Sequence, residues 1–154
     1  MSRTRVRAGA VAAVLLTAGC GWIPQPKPGT ESGPDGELLV VSRTGPGDAV
    51  MQALFEGTLF LNENGCVAGR TLDGYEVGML FPQGSHFESG DGLLIQSEDH
   101  QLALDVPVAL GGGFTSLDEG RLSDVPDGCK YEETFMVQTF GTAGSYITPS
   151  HSPN

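Results

Sequence analysis

"ALFEGTLFLNENGC", residues 53–66, is the stretch that decides the fold class. In its first nine residues the odd positions Ala53, Phe55, Gly57, Leu59 and Leu61 are apolar or neutral, while Glu56, Thr58 and then Asn62 take the other side. Successive side chains of a strand point to opposite faces, so this alternation predicts a strand buried on one face. Leu54 and Phe60 break it, placing apolar side chains on the polar face. Asn64-Gly65 follows at once, the strongest short hairpin signal, and predicts a type I′ turn into a second strand.

The same period recurs outward from this stretch. Tyr75, Val77, Met79 and Phe81 alternate with Glu76 and Gly78. In Leu102–Leu110 the even positions Leu102, Leu104, Val106, Val108 and Leu110 face one way, against Gln101, Asp105 and Pro107. Pro107 has no N–H for a ladder and therefore marks an edge or a bulge. Glu37–Ser42, Gly92–Ser97 and Thr134–Phe140 are further strand candidates. Only Ser116–Val125 reads as briefly helical: Ser116 and Glu119 have capping-box spacing, and Gly120 and Pro126 hold any helix to a turn or two. The chain has 23 glycines, about twice the usual ~7% share, which favours short strands and tight turns. The expectation is an all-β domain over residues 37–141, with six to eight short strands in a small antiparallel barrel or sandwich. A barrel of the oligonucleotide/oligosaccharide-binding (OB) kind is one such form, because closing the sheet removes exposed edges.

Before this domain the sequence changes character. Arg3, Arg5 and Arg7 precede an apolar run of 11 residues, Ala8 to Ala18, and no acid occurs before Glu31. Spanning a bilayer takes about 20 apolar residues, so the run has the size of a secretory signal core. Thr17-Ala18-Gly19 are small residues followed directly by Cys20. This order resembles the lipobox of bacterial lipoprotein precursors, with Thr17 where Leu is most frequent. The resemblance implies removal of residues 1–19 and a thioether-linked diacylglyceryl group, with palmitate, on Cys20. Two acyl chains at about 0.8 kcal/mol per buried CH₂ suffice for stable attachment. Residues 20–36 then form a tether rich in Pro24, Pro26, Pro28 and Pro34; as polyproline II it reaches about 50 Å. Trp22 suits the headgroup layer. Residues 142–154 read as a disordered tail.

Three cysteines are an odd number for an exported chain. Lipidation of Cys20 leaves Cys66 and Cys129 to pair as a disulfide in an oxidising compartment. Without residues 1–19, five lysines and arginines face nineteen acids, a net charge of -14. Such a chain repels phosphate backbones, so no nucleic acid partner is expected, and a basic protein is the favoured kind. "EGTLFLNENGC", "LFPQGSHFESGDGLLI" and "DVPVALGGG", followed by Cys129, resemble small β-domains of secreted and lipid-anchored proteins of high-GC Gram-positive bacteria. That resemblance implies no activity and no functional residues.

Residues that run chemistry lack their partners. His86-Phe87-Glu88 has the H-x-E spacing of zinc deaminases, but the P-C-x-x-C segment that completes such a site does not occur. It reads as a surface turn, with Ser85 beside it by sequence alone. His100 follows Glu98-Asp99 in a turn, and His151 lies in the tail. "LGGGFTS", residues 110–116, lacks the Lys-Ser/Thr of a phosphate-binding loop and reads as a flexible connection. Asp118, Glu119, Asp124 and Asp127 lack the alternation of a calcium loop and read as a solvated acidic segment. No catalytic residue, metal site or cofactor is expected. The favoured reading is a membrane-anchored extracytoplasmic lipoprotein whose domain binds a partner or serves the envelope. The alternative is a small extracytoplasmic hydrolase whose site assembles only in space.

Overall fold

The computed structural model describes residues 26–43, 51–89 and 92–141. The lipobox-like segment, Cys20, most of the expected tether and residues 142–154, with His151, lie outside the described residues. What is described is all-β, with ten strands rather than six to eight.

Ala53–Leu61 forms β3, the predicted strand, with Phe55 and Leu59 fully buried. It pairs antiparallel with β4, Val67–Thr71, which pairs with β5, Glu76–Leu80. On its other side β3 pairs with β9, Pro107–Thr115, and β9 pairs with β10, Thr134–Phe140. The last step is parallel: Thr134, Phe135 and Met136 lie opposite Gly78, Met79 and Leu80, and this closes a five-stranded barrel. The purely antiparallel expectation is corrected at that seam. A parallel pair needs a long connection, and the chain between β5 and β10 provides one. The result is a closed Greek-key barrel of the OB-like kind.

Two smaller sheets complete the domain. β1, Gly29–Ser32, pairs with β2, Leu38–Val41. β1 therefore lies within the residues assigned to the tether, and the domain begins at Gly29 rather than 37. β6, His86–Ser89, β7, Leu93–Ser97, and β8, His100–Ala103, form a sheet inserted between β5 and β9. The "HFES" segment is thus a strand, not a surface turn. The single alternation read over Leu102–Leu110 is two strands, divided where Asp105 takes φ 59° and donates its N–H to the Leu59 carbonyl. Pro107 is the first residue of β9, a position where its missing N–H costs little.

One core joins these pieces. Leu39 and Val41 of β2, Ile95 and Leu102 of the small sheet, and Phe81 pack with the barrel residues Phe55, Leu59, Met79 and Phe135. Each such side chain contributes roughly 1.5–3 kcal/mol over leaving it exposed.

Turn chemistry repeats. At Gly33–Glu37, Asn62–Cys66 and Thr71–Tyr75 the first residue's N–H meets the fifth residue's carbonyl, and the fourth residue's N–H meets the first residue's carbonyl. The fourth residue is glycine each time, with positive φ at Gly36, Gly65 and Gly74. At Asn64-Gly65 only the glycine has positive φ, so the turn is a three-residue loop ending in a left-handed glycine, not type I′.

The "LGGGFTS" stretch is the end of β9 rather than a flexible connection. A Cβ on Gly112 would fall on the Met136 carbonyl oxygen, and one on Gly111 on the Thr139 hydroxyl. These glycines let β10 approach closely. No α-helix forms over 116–125. Asp118 instead accepts the Arg121 N–H on its side chain and the Leu122 N–H on its carbonyl, which leaves one turn. The single helical element among the described residues is a 3-10 turn at Asp127–Cys129.

Candidate functional site

The barrel has two unlike ends. Because β3 runs antiparallel to β4 and β9, the start of β3 shares an end with the β4–β5 turn and the end of β9. The opposite end holds the β3–β4 turn and the end of β5. There β2 lies alongside, with bridges from Leu38 to Cys66 and from Val41 to Phe81.

The end beside β2 is stapled. Cys66 and Cys129 form the predicted disulfide, with Cα atoms 5.3 Å apart. Both cysteines lie in a second apolar cluster with Val40, Leu80, Leu122 and Val125. The segment between β9 and β10 is thereby fixed along the barrel's side. Asn62 holds it as well: its Oδ1 accepts the N–H groups of Asn64 and Cys66, and its Nδ2 donates to the Gly128 carbonyl and the Tyr131 hydroxyl at 2.8 and 3.0 Å. Tyr131 lies over Gly78, where a Cβ would meet its ring at 3.3 Å. In the sequence Asn62 was legible only as a residue on the polar side of the alternation. Lys27 adds a bond from the entering chain, Nζ to Ser123 Oγ at 2.8 Å. Lys130 donates to Asp127 at 2.6 Å, and this bond together with its charge holds the Asp127 carboxyl below its ordinary pKa.

The free end has a different surface. Leu72, in the β4–β5 turn, is 81% exposed, and Leu54 at the start of β3 is 59% exposed. Tyr75 at the end of that turn and Phe114 near the end of β9 are also exposed, and the Phe114 ring meets the buried Phe135 edge-on at 4.9 Å. Glu56, two residues from Leu54, and Asp73 and Glu76, beside Leu72 and Tyr75 in the chain, are exposed as well. Arg70 is the base beside them; it bonds Glu76 at 2.8 Å and lies 4.1 Å above the Phe60 ring. Thus the two exceptions to the alternation of β3 have different fates. Phe60 is covered by a guanidinium, while Leu54 remains in water.

The residues considered for chemistry do not converge. His86 is exposed and its Nδ1 bonds the Gly84 carbonyl, while Glu88 accepts from Gln101. His100 stacks on Phe140 at 4.9 Å, and its Nδ1 is buried without a hydrogen-bond partner. Ser85 and Ser97 share a 2.6 Å hydrogen bond but are 1% and 0% exposed, out of reach of a substrate. A cavity of about 460 Å³ is lined by Gly92, Leu93, Leu94, Ala103, Leu104 and Asp105, with neither histidine in its wall. Among the described residues no three His, Cys, Asp or Glu side chains gather to hold a metal ion, and Asp118, Asp124 and Asp127 each take part in a separate bond. No helix among them is long and apolar enough to cross a membrane. No protein-family model matches the chain, and neither a curated protein nor a solved structure matches it.

Proposed function

We propose that this protein is a lipoprotein anchored through Cys20 to the outer face of the cytoplasmic membrane, and that its β-domain binds a partner there rather than turning over a substrate. The observation that carries the binding reading is that Leu54, Leu72, Tyr75 and Phe114, the exposed large apolar side chains among the described residues, all belong to the strand ends and turn at one end of the barrel. Exposed apolar side chains gathered in one place mark interaction sites more often than scattered ones. Aromatic residues are enriched at interfaces.

Two observations support the anchor. The Cys66–Cys129 bond uses two of three cysteines and leaves Cys20, which follows the signal-like run. Disulfides persist in oxidising compartments, in keeping with an extracytoplasmic domain. The tether is shorter than its composition suggested. With Lys27 held at Ser123, the seven residues from Cys20 reach roughly 22 Å as polyproline II.

A paired complementation experiment tests both halves. In a strain lacking the gene, a His86→Ala, Glu88→Ala, His100→Ala variant restores the phenotype, whereas Cys20→Ala takes up no palmitate analogue and does not. A folded, anchored triple variant without activity contradicts the binding reading and favours the hydrolase. Palmitate labelling of Cys20→Ala contradicts the anchor.

A further inference from the structure

We propose that the free end of the barrel, formed by Leu54, Leu72, Tyr75 and Phe114, docks a cationic protein segment that carries apolar side chains. The proposal rests on the binding reading above and adds to it the place and the chemistry of the partner.

Charge selects the occupant. Glu56 follows Leu54 by two residues on the same face of β3, Asp73 and Glu76 adjoin Leu72 and Tyr75 in the chain, and the neighbouring base, Arg70, is already committed to Glu76 and to the Phe60 ring. A partner that buries Leu72 and Phe114 must bring positive charge to this acidic rim, since unpaired acids at the edge of an apolar contact oppose docking. A second copy of the chain brings the same acids, and five bases against nineteen acids in the mature chain add long-range repulsion. Anionic headgroups are repelled for the same reason.

Position points the same way. The chain enters at Gly29, opposite Val41, and Val41 bridges to Phe81 just beyond the end of β5. Tyr75 and Leu72 lie beyond the other end of β5, whose five residues span about 17 Å. The point where the chain enters and the free end thus lie at opposite ends of β5.

The test uses the isotope-labelled full-length protein in neutral lipid nanodiscs, titrated with two synthetic peptides of equal length. One alternates lysine and leucine, and the other alternates glutamate and leucine. The lysine peptide is expected to shift the resonances of Leu54, Leu72, Tyr75 and Phe114. It should bind about tenfold more weakly to a Leu72→Ser, Phe114→Ser variant, and about tenfold more weakly to Glu56→Lys, Asp73→Lys. Equal binding of the glutamate peptide at this end overturns the cationic partner and leaves the binding reading standing. Shifts confined to other surfaces overturn the site. So does an unchanged affinity in the Leu72→Ser, Phe114→Ser variant. Sedimentation that shows a dimer lost on Leu72→Ser makes a second copy the occupant and overturns the proposal. Failure of every complementation arm described above, with normal peptide binding here, separates a wrong anchor from a wrong surface.

Discussion

Breaking the Cys66–Cys129 bond is expected to remove a large part of the stability of this domain. The bond closes a loop with a sequence separation of 63. In the chain-entropy treatment a loop of that length restrains the unfolded chain by about 4 kcal/mol at 25 °C. Small domains are stable by about 5–15 kcal/mol, so this one bond accounts for between a quarter and most of the total. Packing adds to the effect. Both sulfurs sit among Val40, Leu80, Leu122 and Val125, so a Cys66→Ala, Cys129→Ala variant also loses apolar contact, by about 1 kcal/mol. Reduced wild-type protein keeps the sulfur volume and isolates the cross-link. Urea unfolding followed by far-ultraviolet circular dichroism should show the reduced protein about 4 kcal/mol less stable and the double variant about 5 kcal/mol less stable. The m-value should rise in both, because the unfolded chain without its cross-link exposes more surface. A loss below about 1 kcal/mol on reduction, with free thiols verified, refutes the reasoning and assigns the hold on residues 116–133 to Asn62 and the apolar cluster.

Three further outcomes follow from local geometry. Gly112→Ala places a methyl group on the Met136 carbonyl oxygen and should cost about 3 kcal/mol in thermal or urea unfolding, while Gly92→Ala, with open space around it, should change stability by less than about 0.5 kcal/mol. Glu98 holds φ 52° in the β7–β8 turn, so Glu98→Gly should stabilise by about 0.5 kcal/mol, and a lower melting temperature contradicts that. Asp127 should titrate below 3.8 by NMR and return towards that value in Lys130→Ala; because its folded pKa is depressed, the small stabilisation it gives is present above 3.8 and lost as pH falls through the folded value.

Strands with one wet face were legible, and pairings distant in sequence were not. β3, β5, β7 and β10 fall within one or two residues of their predicted bounds because their sequences alternate or are strand-like, although β5 is buried on both faces after Glu76. The parallel seam between β5 and β10 joins residues more than fifty positions apart, and no local pattern announces it. Gly111 and Gly112 read as a loop because glycine has no side chain to alternate. Their role is visible only once Thr139 and Met136 fill the space beside them. β1 and β6 are four residues each, too short for a period to show. At the candidate site, Cys66 and Cys129 could be paired by counting. Leu54 was visible as an apolar residue on a polar face, but its fate differs from that of Phe60 because only Phe60 has Arg70 above it.

The two ends of the barrel divide the work of folding and display. At one end the β1–β2 hairpin, the inserted β6–β8 sheet and the disulfide all bear on the core, so Leu39, Phe81, Ile95 and Leu102 are fully buried. At the other end Leu72 is exposed among the described residues, and the half-exposed Phe114 meets the core residue Phe135 edge-on. Burying an apolar side chain of this size contributes roughly 1.5–3 kcal/mol, so leaving several in water forgoes part of the stabilisation the core could have. A short chain with a modest core gains stability from another constraint, and the cross-link contributes about 4 kcal/mol. The staple and the exposed end therefore belong to one design. The bond that fixes residues 116–133 against β4 and β5 is what allows the opposite end of the same strands to remain apolar, acidic-rimmed and open.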